Sequence, residues 1–171
     1  MHKISDCYIA FGANLSNPAQ TFRKAISLIA ARGLTLTQMS SLWQSPAWPA
    51  GSGQPDYINA VGRGQFSGTA RELLAALHNV EAALGRERSV RNAARTLDLD
   101  LISHGPRVIE ANDITVPHPR MMDRGFVLLP LSEVSGNWVH PELNETVWDA
   151  IAKLPLKDVE GLRRLRAFDL E

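Results

Sequence analysis

The sequence lacks several features that would assign it to a particular class of protein. Its 171 residues include one cysteine, so no disulfide can form within the chain, which agrees with a reducing compartment. Lys plus Arg and Asp plus Glu both number 18, so the net charge is zero and a nucleic-acid partner is not indicated. No apolar run approaches the roughly 18 residues of a membrane span, and no signal peptide is evident at the N-terminus. We therefore expect a cytoplasmic monomer that binds neither nucleic acid nor membrane.

The composition is that of an ordinary globular domain. Apolar residues make up 44% of the chain and charged residues 21%. There is no internal repeat, no low-complexity tract and no linker that would divide the chain. The length suits one hydrophobic core, so residues 1–171 are predicted to form a single domain.

Hydrophobic patterns and helix caps predict an alternating series of strands and helices. The elements are, in order, a strand over 7–11, a helix from Pro18 to near Gly33 capped by Asn17, strands over 34–43 and 56–66, a helix from the Thr69–Glu72 capping box to Gly85, and a strand over 97–101. The order β-α-β-β-α-β predicts an α+β, ferredoxin-like sandwich with a mostly antiparallel sheet and helices on one face.

Further elements are appended after this pattern. The apolar run over 126–131 is compatible with a strand or a short helix. Asn144 is a candidate cap for a last helix whose apolar stripe runs from Val147 to Leu154. Residues 44–55 are rich in Pro, Gly and Ser, and a loop of this length is often functional.

Two acidic residues carry the strongest chemical signal. Asp98 and Asp100 alternate with leucines at 97, 99 and 101, so a strand that buries its leucines places both carboxylates on its other face. Aspartate is disfavoured in strands, and two acids on one face repel each other unless a cation lies between them. A solvated strand face is the alternative. The alternation alone does not decide between a metal site and a solvated strand face.

Basic residues surround the acidic pair in sequence. Arg86, Arg88, Arg91 and Arg95 precede the two aspartates, and His118 lies between two prolines farther along the chain. For any one arginine a solvated loop is the ordinary explanation, but four of them beside two acids favour a phosphate-binding site. Paired carboxylates beside guanidinium groups together indicate a site for magnesium and polyphosphate.

Several motifs together resemble one family, 6-hydroxymethyl-7,8-dihydropterin pyrophosphokinase of folate biosynthesis. The central motif is Arg-Asn-Ala-Ala-Arg-Thr-Leu-Asp-Leu-Asp-Leu-Ile over residues 91–102. The other similar segments are Tyr-Ile-Ala-Phe-Gly-Ala-Asn-Leu over 8–15, Ser-Ser-Leu-Trp-Gln-Ser-Pro over 40–46, Gln-Pro-Asp-Tyr-Ile-Asn-Ala over 54–60, Glu81 to Arg88, Val-Pro-His over 116–118, and Arg-Gly-Phe-Val-Leu over 124–128. A chain of motifs in the right order is far more specific than Asp-x-Asp alone.

The resemblance implies a reaction and a set of site residues. ATP would donate its β- and γ-phosphates together to the hydroxymethyl oxygen of the pterin, and AMP would be released. Asp98 and Asp100 would hold two Mg²⁺ ions and would act in catalysis with Arg95 and Arg124. The residues implied to bind ATP are Glu81, Arg88, Arg95, His118 and Arg124. Those implied to bind the pterin are Ser45, Pro46, Tyr57, Asn59 and Phe126.

One departure from the family pattern leaves alternatives open. Many relatives carry Trp-Gly-Pro-Arg where this chain has Asn-Ala-Ala-Arg over 92–95. The altered loop favours a second hypothesis, an inactive homologue that keeps the fold and binds nucleotide or pterin. A third hypothesis, another metal-dependent ATP enzyme such as a nucleotidyltransferase, explains the aspartates but not Tyr57, Asn59 and Phe126.

Overall fold

The computed structural model describes residues 3–85, 94 and 96–170. The strands are β1 (Ser5–Ala13), β2 (Thr35–Met39), β3 (Trp43–Ser45), β4 (Tyr57–Phe66), β5 (Asp98–His104), β6 (Ile109–Glu110), β7 (Thr115–Val116) and β8 (Arg163–Arg164). The α-helices are α1 (Pro18–Ala30), α2 (Ala70–Ala83), α3 (Gly125–Ser135) and α4 (Val147–Lys153). No helix in the described part of the chain has the length and apolarity that crossing a membrane requires.

The main sheet is antiparallel and has the predicted topology. Its order is β5-β1-β4-β3-β8, and β2 also pairs with β4. In the unit β1-α1-β2 the two strands are separated in the sheet by β4, and in the unit β4-α2-β5 they are separated by β1. This is the split arrangement of a ferredoxin-like fold. The prediction of an α+β sandwich with appended C-terminal elements is therefore confirmed.

Each face of the sheet has its own apolar core. Side chains such as Ile9, Phe11 and Leu99 pack with α1 and α2 on one face. On the other face, Tyr8 and Val61 pack with residues of α3 and α4. Helices α1 and α2 thus share one face as predicted, whereas the appended helices cover part of the opposite face.

Side-chain caps explain where three of the four described α-helices begin. Asn17 caps α1 by accepting from the N–H of Gln20, and Thr69 and Glu72 form the predicted capping box of α2. The prediction that Asn144 caps the last helix is wrong. Thr146 is the cap, because it and Asp149 form a reciprocal capping box, and Asn144 instead adopts a φ of 53°.

The segment 34–43 differs from the sequence prediction. It is divided into β2 and the start of β3, and a short link over 40–42 separates them. Residues 126–131 belong to α3, so of the two alternatives left open for this run the helix is confirmed.

Strand β5 lies at one edge of the sheet, where helix α2 covers it. Glu81 of α2 is 1% exposed, and its Oε1 accepts the backbone N–H of Leu99 at 2.7 Å. Leu99 lies between Asp98 and Asp100, so this bond fixes the backbone of the edge strand between the two residues that bear the carboxylates. On an edge strand, some backbone N–H groups point away from the neighbouring strand. When such an N–H is buried, it needs an acceptor of this kind.

We predict that Glu81→Ala lowers the free energy of unfolding by about 1–3 kcal/mol, because it leaves a buried N–H without its acceptor. Glu81→Gln keeps an oxygen for Leu99 and should lose less. Urea denaturation measures the free energy, and NMR hydrogen exchange should show faster exchange of the Leu99 amide in the alanine variant only. Equal exchange of this amide in all three proteins would contradict the assignment.

Candidate active site

Asp98 and Asp100 lie where the alternation of β5 predicts them. The leucines at 97, 99 and 101 are buried, and both aspartates are half-buried on the face opposite α1 and α2. In the described residues, no three His, Cys, Asp or Glu side chains form a metal-binding group. Two carboxylates still suit Mg²⁺, which is commonly held by one or two carboxylates together with substrate phosphates and water.

A row of residues crosses the sheet from the aspartates. Asp98 of β5 is opposite Gly12 of β1, and Gly12 is opposite Asn59 of β4. Neighbouring strands lie about 4.8 Å apart, so Asp98 and Asn59 are separated by roughly 10 Å. Gly12 places no side chain between them, and a Cβ there would make ordinary contacts, 3.6 Å from Asn59 Oδ1 and 4.0 Å from the Cβ of Asp98. A flat ligand that contacts Asn59 can thus extend toward the carboxylates.

Asn59 is a rigid polar group at one end of this row. It is 5% exposed, and its Nδ2 donates to Ser45 Oγ at 2.9 Å and to the Trp43 carbonyl at 3.4 Å. Its Oδ1 is the atom nearest to the position that a Cβ on Gly12 would take. Ser45 is also buried, and Pro46 beside it is exposed at the start of the long loop.

The two aromatic residues predicted to bind the pterin are partly exposed and lie on different elements. Tyr57 begins β4 opposite Ser45 and is half-buried. Phe126 lies in the first turn of α3 and is 37% exposed, with the guanidinium carbon of Arg124 5.6 Å from its ring centroid. Exposed aromatic faces beside buried polar groups are typical of sites for planar ligands.

His118 is a neutral side chain at neutral pH. Burial, followed by the charges of Arg124 and Arg120, lowers the pKa of His118 to about 4, although the Asp98 carboxylate acts in the opposite direction. Its Nδ1 accepts the N–H of Arg120 at 3.1 Å, so the neutral ring carries its proton on Nε2. The backbone N–H of His118 donates to the Ile102 carbonyl at 2.8 Å, which attaches this segment to β5. His118 can therefore donate a hydrogen bond from Nε2 without adding charge.

The remaining predicted residues are only partly placed by the structure. Arg124 precedes α3 and its charge acts on His118 and on the Phe126 ring. Arg88 and Arg95 lie outside the described residues, as do Arg86 and Arg91. Glu81 is behind β5 rather than on the open face, and its contact with a nucleotide stays a prediction.

Sequence reasoning did not select Gly12 as a candidate, because the first strand was predicted to end at residue 11. The available signal was an isolated glycine in a strand pattern, which often marks the close approach of a ligand or backbone. Cavity size would not have found the site. A cavity of about 380 Å³ lies at the other end of β1, near Tyr8, Trp138 and His140, and none of the predicted site residues lines it.

Comparison with protein families gives a match to 7,8-dihydro-6-hydroxymethylpterin-pyrophosphokinase (HPPK) over residues 8–136. A 2-amino-4-hydroxy-6-hydroxymethyldihydropteridine pyrophosphokinase of Synechocystis sp. is 37% identical over 147 residues, which are 85% of this chain and 74% of the relative. The pyrophosphokinase of Haemophilus influenzae is 38% identical over 136 residues, or 78% of this chain and 84% of the relative. The chain spans only 20% of another relative, the folic acid synthesis protein fol1 of Pneumocystis carinii, with 32% identity.

Solved structures show the same fold. The wild-type HPPK-DHPS of Plasmodium falciparum superposes with a TM-score of 0.72 over 96% of this chain and 48% of that one. The identity of 11% supports the fold alone. The family match over residues 8–136 and the two bacterial relatives establish that this chain belongs to the 6-hydroxymethyl-7,8-dihydropterin pyrophosphokinase family.

Proposed function

We propose that this chain transfers pyrophosphate from ATP to the hydroxymethyl group of 6-hydroxymethyl-7,8-dihydropterin and releases AMP, as a step of folate biosynthesis. The observation that carries the proposal is the row from Asp98 past Gly12 to Asn59 in a chain of this family. This row offers a place for a polar heterocycle at one end and for metal-bound phosphates at the other. We further propose that the domain acts as a monomer in the cytoplasm.

The phosphate end of the site is supported by charge. Asp98 and Asp100 would hold two Mg²⁺ ions, since their paired carboxylates are hard oxygen ligands on an accessible face. Bound magnesium would neutralise the phosphate oxygens and orient the triphosphate. Arg124 and the Nε2–H of His118 would bind phosphate oxygens, and the neutral histidine does so without repelling Mg²⁺. Arg88 and Arg95 would contribute further positive charge, and Glu81 would lie near the nucleotide.

The pterin end of the site is supported by shape and polarity. Tyr57 and Phe126 would contact the two faces of the ring, and Asn59 would bind its polar edge through Oδ1. The backbone at Ser45 and Pro46 would contact the same edge. These contacts would place the hydroxymethyl oxygen toward the aspartates.

The transfer itself needs positioning more than covalent help. The hydroxymethyl oxygen would form a bond to the β-phosphorus of ATP, and the bond from that phosphorus to the bridging oxygen of the α-phosphate would break. AMP would leave with that electron pair, and the proton of the hydroxyl group would be lost. Closure of the loop over 44–54 would exclude water, which otherwise competes as the acceptor.

Two alternatives remain testable. An inactive homologue with the same fold is suggested only by the altered residues 92–94, and the relatives in Synechocystis and Haemophilus influenzae are named as pyrophosphokinases. The second alternative, another metal-dependent ATP enzyme, gives no reason for aromatic residues at positions 57 and 126. Measuring AMP release with and without the pterin distinguishes the three hypotheses.

We expect pterin-dependent AMP release from the native chain with ATP and Mg²⁺, and a loss of roughly 10³-fold in Asp98→Asn or Asp100→Asn, since metal stabilisation of phosphate charge contributes several kcal/mol. Asp113→Asn is the matched control. It removes an exposed carboxylate that pairs with Arg71 at 2.8 Å, away from the site, and should retain the native rate.

Chromatographic separation of AMP from ADP gives the readout. Folded native protein that releases no AMP above background would favour the inactive homologue. AMP formed at the same rate without pterin would favour a different ATP enzyme.

We also expect Gly12→Leu to raise the KM for the pterin by about 10-fold or more, because its side chain would enter the row and displace the ring from its reacting position. Gly12→Ala is the control, since its Cβ makes only ordinary contacts of 3.6 and 4.0 Å. Steady-state kinetics with each substrate varied in turn, and circular dichroism for the fold, provide the measurements. A leucine variant with a native KM would refute the placement of the ligand over Gly12.

A further inference from the structure

Glu133 connects helix α3 to the segment that leads into β3. Its Oε2 accepts the backbone N–H of Ser41 at 3.1 Å and the Ser41 hydroxyl at 2.8 Å. Its Oε1 accepts from Trp43 Nε1 at 2.6 Å and lies 3.5 Å from Nε of Arg164. One carboxylate of α3 therefore receives several donors from the segment Ser41–Trp43 and from β8.

Glu133 is charged at neutral pH even though its side chain is only 25% exposed. Burial alone would raise the pKa of the Glu133 carboxyl, but hydrogen bonds from Ser41, Trp43 and Arg164 together hold the pKa below its ordinary value. Hydrogen bonds to an ionised acceptor are shorter and stronger than neutral ones. The contact is thus a firm connection between two elements.

Under the proposed function the pterin would lie in a slot between Phe126 and Tyr57. One of the connected elements carries Phe126, and the other pairs with the strand that carries Tyr57. Helix α3 carries Phe126 in its first turn. Strand β3 runs from Trp43 to Ser45, which is paired with Tyr57 and accepts the side-chain hydrogen bond of Asn59. A change in the distance between α3 and β3 would therefore change the separation of Phe126 from Tyr57 and Asn59.

The segment 158–162 near the C-terminus contacts both the start of α3 and the loop that follows β3. A Cβ on Gly125 would lie 2.5 Å from the Asp158 carbonyl oxygen and 2.8 Å from a methyl carbon of Leu162. A Cβ on Gly161 would lie 2.8 Å from Cγ of Pro46. The start of α3 and the start of the long loop thus both pack closely on residues 158–162.

We propose that Glu133 is a positioning residue for the pterin: its carboxylate holds α3 at a set distance from Ser41 and Trp43 and so determines the width of the slot between Phe126 and Tyr57. This inference rests on the proposed function. Glu133 itself does not touch the ligand in this arrangement. Its removal should affect pterin binding and leave nucleotide binding by Asp98, Asp100 and His118 nearly unchanged.

The test compares Glu133→Ala and Glu133→Gln with the native chain. Glutamine keeps one oxygen acceptor but places an amide NH₂ among donors, so its effect should be intermediate. Glu142→Gln is the matched control, because it makes the same charge change on an exposed side chain in the segment between α3 and α4. Two dissociation constants are measured by calorimetry: that of a non-hydrolysable ATP analogue with Mg²⁺, and that of 6-hydroxymethyl-7,8-dihydropterin in the presence of this analogue.

We expect Glu133→Ala to weaken pterin binding by about 10-fold or more, since small displacements of a positioning group carry costs of this order. Binding of the ATP analogue should change by less than about 2-fold, and Glu142→Gln should match the native chain. The KM for the pterin should rise by a larger factor than kcat falls.

A second variant isolates the contact with Trp43. Trp43→Phe keeps an aromatic ring but removes the Nε1–H donor, and it should weaken pterin binding in the same direction. If Glu133 acts through this bond, the double variant with Glu133→Gln should lose less than the sum of the two single losses. Full additivity would refute action through Trp43.

The outcomes separate this inference from the proposed function. A folded native chain that binds no pterin would overturn both proposals. Tight binding by the native chain together with unchanged pterin affinity in Glu133→Ala would overturn this one alone. Equal losses of ATP-analogue and pterin affinity, with a lowered melting temperature, would assign Glu133 to general stability and would also overturn the inference.

Discussion

The register of the central strand β1 is the constraint on which the candidate site depends. Pairing with β4 and β5 brings Asn59 and Asp98 to either side of Gly12. A shift of one residue between β1 and β5 would turn Asp98 and Asp100 toward the core under α1 and α2, and would expose leucines in their place. The buried leucines of β5 oppose such a shift, so the same side chains that stabilise the sheet also orient the acids.

Two carboxylates on one strand face impose an electrostatic cost on the free protein. The structure limits the freedom of the strand that bears them, since Glu81 holds the Leu99 N–H and the His118 backbone donates to Ile102. The acids therefore stay close together before any cation arrives. Such preorganisation reduces the reorganisation needed when charged phosphates bind.

Local sequence patterns predicted the parts of the fold that depend on neighbouring residues. The Thr69 capping box and the alternation around Asp98 are short-range signals, and the structure has both. The cap at Thr146 was missed because Asn144 is an equally good cap by residue type, and only the reciprocal bond with Asp149 decides between them.

Long-range contacts explain what the sequence could not predict. β3 is a separate strand because it pairs with β4 on one side and β8 on the other. Glu133 shows no local pattern, since its partners at Ser41 and Trp43 lie about 90 residues earlier. The family motifs supplied the candidate site residues, and the roles of all of them stay predictions. Arg88 and Arg95 also fall outside the described residues.

The pairing of Trp43 with Arg164 also has a consequence for folding order. These residues are about 120 positions apart, so this edge of the sheet is completed by a contact of high sequence separation. Contacts of this kind slow folding, because the chain must close a long loop before they contribute. We therefore expect the sheet β5-β1-β4 to assemble before the β3–β8 edge.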